Sequence, residues 1–162
     1  MWFICGLGNP DTEYKLTRHN LGFDVVNSLI KYNDFDLLKK DKNKILFKGK
    51  IEKKICYICK PQRYMNLSGP VISELTKFYK IPIEKIIIIH DDLDLTIGKI
   101  KIKVGGGNAG HNGLLSIDKC IGNNYKRPSI KFFILVTLNE TVCPPHAVGR
   151  NSIGHRLFSL GL

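Results

Sequence analysis

His19 is a candidate general base in a polar segment near the start of the sequence. It stands between Arg18 and Asn20, a short way after the Asn9-Pro10 pair. An imidazole with an unperturbed pKa of about 6.5 can take a proton from water near neutral pH and so support hydrolysis. A single histidine, however, is more often a surface or packed residue than a base. The role of His19 therefore depends on the other side chains that reach it.

Further polar side chains follow predicted strands or begin predicted helices. They are Asn9, Asn66, Asp91, Asp92, His111 and Asn112. In open α/β sheets, ligands bind in the crevice beyond the carboxyl ends of the strands, so we expect these residues to share a site with His19. Taken singly, each also has a structural explanation as a helix cap or a turn residue. The presence of six such residues at strand ends and helix starts favours a shared binding or catalytic site over six separate structural roles.

The hydrophobic pattern predicts strands that alternate with helices. Strands are expected at 2–7, 45–51, 54–59, 86–89 and 99–104, and helices at about 22–32, from about 68, and at 112–121. Ser68 is expected to cap the second helix, and Gly122 to end the third. The most apolar strand, 86–89, is expected near the centre of the sheet. This order predicts an α/β domain with a sheet covered on both faces.

The composition indicates a globular protein with a polyanionic partner. The 162 residues suit one domain, and no apolar run approaches the roughly 18 residues of a membrane span. Residues 1–5 lack the basic flank of a signal peptide, so we expect a cytoplasmic protein. The net charge of +11 favours nucleic acid or anionic lipid as a partner. Whether the lysine-rich run 39–54 contacts RNA or is a solvated hairpin stays open.

The five cysteines fit a reducing compartment better than a disulfide framework. Cys56 and Cys59 have CxxC spacing, but they lie in a predicted strand, where residues three apart point to opposite faces. We therefore interpret them as core thiols and not as a metal or redox pair.

Several motifs of the sequence have the order and spacing of one known family. These motifs are Gly6-Leu7-Gly8-Asn9-Pro10, Tyr14, Thr17-Arg18-His19-Asn20-Leu21-Gly22, Lys60-Pro61, Tyr64-Met65-Asn66-Leu67-Ser68-Gly69, His90-Asp91-Asp92-Leu93-Asp94-Leu95 and Gly105-Gly106-Gly107 to Gly110-His111-Asn112-Gly113-Leu114. From about residue 3 to Arg127 the sequence closely resembles bacterial-type peptidyl-tRNA hydrolase.

The resemblance implies a three-layer α/β/α sandwich with a mixed, mostly parallel central sheet, in a single domain spanning 1–162. It also implies a monomer that hydrolyses the ester between a peptide and tRNA and so recycles peptidyl-tRNA released from ribosomes. The resemblance further implies that the reaction needs no metal and no cofactor.

The resemblance also assigns roles by position. The catalytic residues would be His19 as general base, Asp91 as the carboxylate that orients it, and Asn9. The substrate-binding residues would be Tyr14, Tyr64, Met65, Asn66, His111 and Asn112, and the residues that bind tRNA phosphate would be Lys101, Lys103 and Arg127. The chemistry is consistent, because a carboxylate fixes the imidazole tautomer and neutral amides can stabilise an oxyanion.

The sequence departs from the family after Arg127. Pro128 is expected to interrupt strand hydrogen bonding, and Ser129 stands where the family has a second arginine. Residues 130–138 are apolar and β-branched enough to form a strand. We therefore expect 128–162 to be an atypical part of the domain, truncated, divergent or from a shifted reading frame, and the protein to be folded but marginal.

Two other functions stay open at this point. Gly105–Gly110 satisfies GxGxxG after a predicted strand and before a predicted helix, as in dinucleotide-binding domains. Alternatively, the altered tail leaves a tRNA-binding protein with impaired or no turnover.

Overall fold

A computed structural model describes residues 1–10, 20–92 and 100–130 of the chain. Seven strands and three α-helices form in these ranges. They are β1 (Trp2–Gly6), α1 (Leu21–Lys31), β2 (Phe35–Lys40), β3 (Lys44–Ile51), β4 (Lys54–Pro61), α2 (Ser68–Phe78), β5 (Ile86–Asp91), β6 (Ile100–Val104), α3 (Asn112–Ile121) and β7 (Lys126–Ile130). Tyr14, His19 and the tail beyond residue 130 lie outside the described residues.

The strands form one mixed sheet in the order β2-β3-β4-β1-β5-β7-β6. β1 pairs in parallel with β4 and β5, and β5 pairs in parallel with β7. The pairs β2–β3, β3–β4 and β6–β7 are antiparallel. The expected mixed sheet is confirmed, but in the described part three pairings are parallel and three antiparallel, because antiparallel strands extend the sheet at both edges. One hairpin turns at Glu52 and Lys53, whose φ angles of 47° and 69° are typical of a two-residue primed turn.

Helices cover both faces of the sheet and so complete the expected α/β/α layers. α1 packs on β1, β5 and β4, and α2 and α3 pack against each other over the opposite face. β5 lies between β1 and β7, and both Ile88 and Ile89, which point to opposite faces, are fully buried. Burial on both sides explains the continuous apolar run of this strand.

Two glycines allow α1 to lie directly on the end of β1. A Cβ on Gly6 would lie 2.2 Å from the carbonyl oxygen of Gly22, and a Cβ on Gly22 would lie 2.3 Å from the carbonyl oxygen of Leu7. Only glycine fits such a contact between two backbones. This contact fixes the start of α1 beside the carboxyl end of β1.

The structure differs from the sequence analysis at two places, and at a third the expected disruption is only local. Strand β2 was not predicted, because five of its six residues are exposed and show no alternation. Ser68 does not cap α2, since it is the first residue of the helix and the N-cap position is held by Leu67 without a side-chain hydrogen bond. Pro128 interrupts the pairing of β7 with β5, as expected, since these two strands have no register pair at Arg127 or Pro128, but the interruption is local: β7 pairs again with β5 at Ser129 and pairs with β6 throughout. A proline's fixed φ is compatible with a strand, and it removes only one donor.

Within the described ranges, none of the helices is long and apolar enough to span a membrane.

Candidate active site

The glycine-rich segment 105–110 returns the chain from the end of β6 to the carboxyl end of β5. β6 runs antiparallel to β7 and ends beside Lys126, which itself pairs with Ile87 near the start of β5. The strand therefore ends far from Asp91, at the other end of β5. After the segment, His111 lies next to Asp91 again. His111 and Asn112 thus begin α3 after the glycine-rich segment, as expected, and the segment returns them to the carboxyl end of β5.

Glycines make this path possible. The φ angles of Gly105, Gly106 and Gly110 are 67°, 91° and 76°, in the left-handed region that side chains disfavour. At the end of the segment, Asn108 accepts a hydrogen bond from the backbone N–H of Gly110 at 3.1 Å and closes the turn into α3.

A cleft of about 400 Å³ opens at the carboxyl ends of β1 and β5. It is lined by Asn9, Met65, His90, Asp91, Asp92, Lys103, Gly105, Gly107, Asn108, Ala109, Gly110, His111, Asn112, Leu114 and Arg127. The structure thus brings together seven of the residues singled out as catalytic or binding residues in the sequence. They are Asn9, Met65, Asp91, Lys103, His111, Asn112 and Arg127. The expectation that polar residues gather at this edge of the sheet is met for Asn9, Asp91, Asp92, His111 and Asn112, but not for Asn66, which is absent from the lining.

His111 is held at both ring nitrogens. Its Nδ1 accepts hydrogen bonds from the backbone N–H groups of Gly113, at 3.1 Å, and Leu114, at 3.4 Å, so it caps α3. An atom that accepts from N–H groups carries no proton, so the proton of a neutral ring is on Nε2. That Nε2 lies 3.4 Å from Oδ1 of Asp91. The cap of α3 is therefore His111 and not Asn112, and in this ring orientation the cap favours the tautomer whose Nε2–H faces Asp91.

His90 lies behind this pair at the wall of the cleft. It is 7% exposed, and its ring meets that of His111 edge to face, with the centroids 5.4 Å apart and the planes at 88°. Burial, with a smaller contribution from the neighbouring His111, lowers the pKa of His90 to about 4. His90 is therefore neutral near pH 7.

Asn9 is positioned by Asn20. The backbone N–H of Asn9 donates to Oδ1 of Asn20 at 2.7 Å, and Asn20 is only 5% exposed. Asn20 precedes the first turn of α1 but makes no side-chain cap there, because its oxygen serves Asn9 instead. Sequence reasoning included Asn20 in a motif without a role, since its burial depends on the contact between β1 and α1.

Tyr64 and Asn66 lie apart from the cleft lining. Both are exposed, Tyr64 by 68%, at a short 3₁₀ turn (Met65–Leu67) that precedes α2. Met65 of the same turn does line the cleft, and its Sδ would lie 2.8 Å from a Cβ on Gly113. Met65 therefore points into the cleft, whereas the side chains of Tyr64 and Asn66 are exposed to solvent.

The three candidate phosphate-binding residues differ in exposure. Lys101 and Lys103 are both exposed on the edge strand β6, as their alternation predicts, and Lys103 also lines the cleft. Arg127 pairs with Lys103 across the strands but is only 2% exposed. Its guanidinium contacts Asp118 and packs on the ring of Tyr125, while Nε and Nη1 make no hydrogen bond to any described residue.

The dinucleotide interpretation of 105–110 does not fit this topology. The fingerprint requires a strand, a helix and a second strand parallel to the first. Here the strands on either side of α3 are β6 and β7, which are antiparallel.

The cysteines of β4 lie in the core. Cys59 is the register partner of Cys5 and belongs to the cluster beneath α2 and α3, whereas Cys56 is buried outside that cluster. Burial raises the pKa of Cys56 to about 11. No group of three or more potential metal ligands occurs among the described residues.

The family model of peptidyl-tRNA hydrolase matches residues 3–130. The peptidyl-tRNA hydrolases of Rickettsia canadensis and of a Wolbachia species from Drosophila simulans are 50% and 46% identical to the chain over 128 and 127 residues. Each match covers 78% of this chain, and 69% and 70% of the respective relative. The crystal structure of peptidyl-tRNA hydrolase from Acinetobacter baumannii is 42% identical, with a TM-score of 0.75 over 82% of this chain and 69% of that chain.

These matches agree with the fold, with the cleft and with the motifs that surround it. The family match ends at residue 130, shortly after Arg127, where the sequence analysis expects the departure from the family to begin. The chain therefore belongs to the bacterial-type peptidyl-tRNA hydrolase family and is a hydrolase that acts on peptidyl-tRNA.

Proposed function

We propose that the cleft at the ends of β1 and β5 holds the ester between peptide and tRNA, and that His19 activates the attacking water. The observation that carries this proposal is the His111–Asp91 pair beside Asn9 in one cleft. A carboxylate in that position suits a partner imidazole, because it fixes the tautomer and stabilises the imidazolium that forms as water loses a proton. His19 directly precedes Asn20, whose side chain binds Asn9.

The reaction then proceeds in two proton transfers. The imidazole of His19 takes a proton from water while the water oxygen bonds to the ester carbon. Amide N–H groups of Asn9 and Asn112 donate to the oxyanion, which they stabilise without a full charge that would retain the product. As the ester bond breaks, the imidazolium returns the proton to the ribose oxygen. The products are a peptide acid and tRNA.

The remaining predicted substrate residues surround this centre. We propose that Met65 and His111 line the place of the reacting group and that Tyr14, Tyr64 and Asn66 contact the peptide or the terminal nucleotide. The exposure of Tyr64 and Asn66 suits a contact with a substrate that extends beyond the cleft.

The lysines of β6 are proposed to bind phosphate of the tRNA. Lys101 and Lys103 share an exposed face, so both can approach one nucleic-acid backbone. Such contacts recognise the position of phosphates and the shape of the helix, and so tolerate many tRNA sequences. Arg127 stays a predicted phosphate contact, but its burial makes it a weaker candidate, because a direct contact requires accessible nitrogens.

We also propose that the protein acts as a monomer in the cytoplasm, where ribosomes release peptidyl-tRNA. The buried thiols of β1 and β4 and the net charge of +11 fit a reducing compartment rich in nucleic acid.

Release of peptide from N-blocked aminoacyl-tRNA by the purified protein tests this function. We expect multiple turnovers in the wild type, and in Asp91→Asn a smaller rate with an altered pH profile. Asp36→Asn, the same replacement on the exposed strand β2, is the matched control and should behave as the wild type. Binding of tRNA without hydrolysis by the wild type would contradict the proposal and indicate a non-catalytic tRNA-binding protein.

A further inference from the structure

His90 is a buried titratable side chain of the cleft that the proposed mechanism does not use. It precedes Asp91 in β5, lines the cleft and is 7% exposed. The carbonyl oxygen of Ile88 lies 3.4 Å from its Nδ1, a weak contact at the limit of hydrogen bonding. The main side-chain contact of His90 is with His111, whose ring it meets edge to face.

The ring of His111 is restrained in its plane by its two nitrogens. Nδ1 faces the start of α3, and Nε2 faces Asp91. At 3.4 Å the contact with Asp91 is long, so by itself it holds the ring loosely. A tilt or a flip of the ring would direct Nε2 away from the carboxylate. A rigid neighbour packed against the ring would oppose such a movement, and the ring of His90 packs edge to face on that of His111.

We propose that His90 is a positioning residue of the hydrolase, whose ring holds His111 in the orientation that directs Nε2–H toward Asp91. The inference rests on the proposed function, in which Asp91 orients His19. His90 itself touches neither water nor ester in this scheme. Its effect on the reaction passes through His111 and Asp91.

The chemical form of His90 suits a packing role. The charged and titratable groups that line the cleft with it are Asp91 at the end of β5, Asp92 directly after it, His111 at the N-cap of α3, Lys103 on β6 and Arg127 on β7. Burial and the neighbouring imidazole disfavour a positive charge on His90. A neutral ring that exchanges no proton near pH 7 can act on His111 only through its shape and rigidity. Another aromatic side chain can supply both.

The test compares His90→Asn with His90→Phe. We expect His90→Asn to lower kcat for N-blocked aminoacyl-tRNA by about tenfold to a hundredfold with KM little changed, because a misoriented catalytic group affects the chemical step. His90→Phe should restore most of kcat, since it keeps an aromatic ring against His111. Ile87→Val, a conservative change in the buried part of β5, controls for general destabilisation.

The tautomer of His111, read from the ¹⁵N spectrum of its ring, provides a measurement without substrate. We expect the Nε2–H form in the wild type and in His90→Phe, and a mixture of tautomers in His90→Asn. Equal losses of kcat in both variants, wild-type kcat in both, or an Nδ1–H form in the wild type would each overturn the inference. An inactive wild type with the expected tautomers would contradict the proposed function and leave the orientation of His111 by His90 supported.

Discussion

His111 links the start of α3 to Asp91: one ring nitrogen accepts from the backbone of Gly113 and Leu114, and the other lies 3.4 Å from the carboxylate. A single side chain thus caps a helix and orients a proposed catalytic group. The two roles can be separated by mutation, because an asparagine can cap a helix but is too short to reach Asp91 as well.

We predict that His111→Asn keeps stability and loses activity. Its side-chain oxygen can accept from the N–H groups of α3, so the free energy of unfolding should stay close to wild type. His111→Ala removes the cap as well and should cost about 1 kcal/mol. Both variants should show a lower kcat. Urea denaturation and steady-state kinetics provide the measurements, and a wild-type kcat in His111→Asn would show that Asp91 does not need the imidazole.

Asn20 is predicted to be needed for stability and rate. Asn20→Ala leaves the backbone N–H of Asn9 without its acceptor at a part-buried position, which should cost about 1–3 kcal/mol. The rate should fall too, because Asn9 lines the cleft. Asn27→Ala makes the same truncation on the exposed side of α1, where Asn27 accepts from Lys60, and should change stability by less than about 0.5 kcal/mol. Equal effects of the two changes would contradict the assignment of Asn20.

The depressed pKa of His90 predicts an acid-dependent loss of stability. The folded protein has a pKa of about 4 at this residue, so between that value and the usual 6.5 or so the unfolded chain binds a proton that the folded chain does not. The free energy of unfolding is therefore unaffected by the titration of His90 above pH 6.5 or so. It decreases as the pH falls toward about 4, by about 3 kcal/mol in total. In His90→Phe this part of the pH dependence should disappear. Unfolding free energies measured across this range in both proteins provide the comparison, and identical pH dependences would exclude His90 as the source.

Lys101 and Lys103 are predicted to set the affinity for tRNA. Replacing either with alanine should weaken binding and reduce the slope of log affinity against log salt by about 0.7–0.9 for each phosphate that the protein no longer neutralises. Lys77→Ala, an exposed lysine on α2, should leave both quantities unchanged. Fluorescence titrations of tRNA at several salt concentrations measure the slope. If neither lysine alters it, the phosphate-binding residues lie elsewhere on the protein.

Local patterns predicted much of the fold. The boundaries of α1, α3, β3 and β5 follow from apolar periodicity and from turn residues, and Gly122 ends α3 as expected. Strand β2 could not be predicted, since its residues carry no pattern and it exists because β3 offers a partner edge. The direction of β6 could not be predicted either, because an alternating pattern is the same for parallel and antiparallel strands.

The site was predictable in its residue types and less so in its contacts. Motifs identified Asn9, Asp91 and His111, but not that His111 caps α3 or that Asn20 binds Asn9. Those contacts depend on the close approach of Gly6 and Gly22 and on the path of 105–110, which are tertiary features. The roles assigned to Tyr14 and His19, and the expected weakness of the tail after Arg127, stay predictions.

The most direct test of the account is the single-turnover rate of His19→Asn on N-blocked aminoacyl-tRNA, measured beside its affinity for tRNA. If His19 is the general base, the rate should fall by about 100-fold to 10,000-fold while binding is retained. His146→Asn, the same replacement in the tail, controls for the loss of an imidazole as such. Near-wild-type hydrolysis by His19→Asn would contradict the account and exclude His19 as the base.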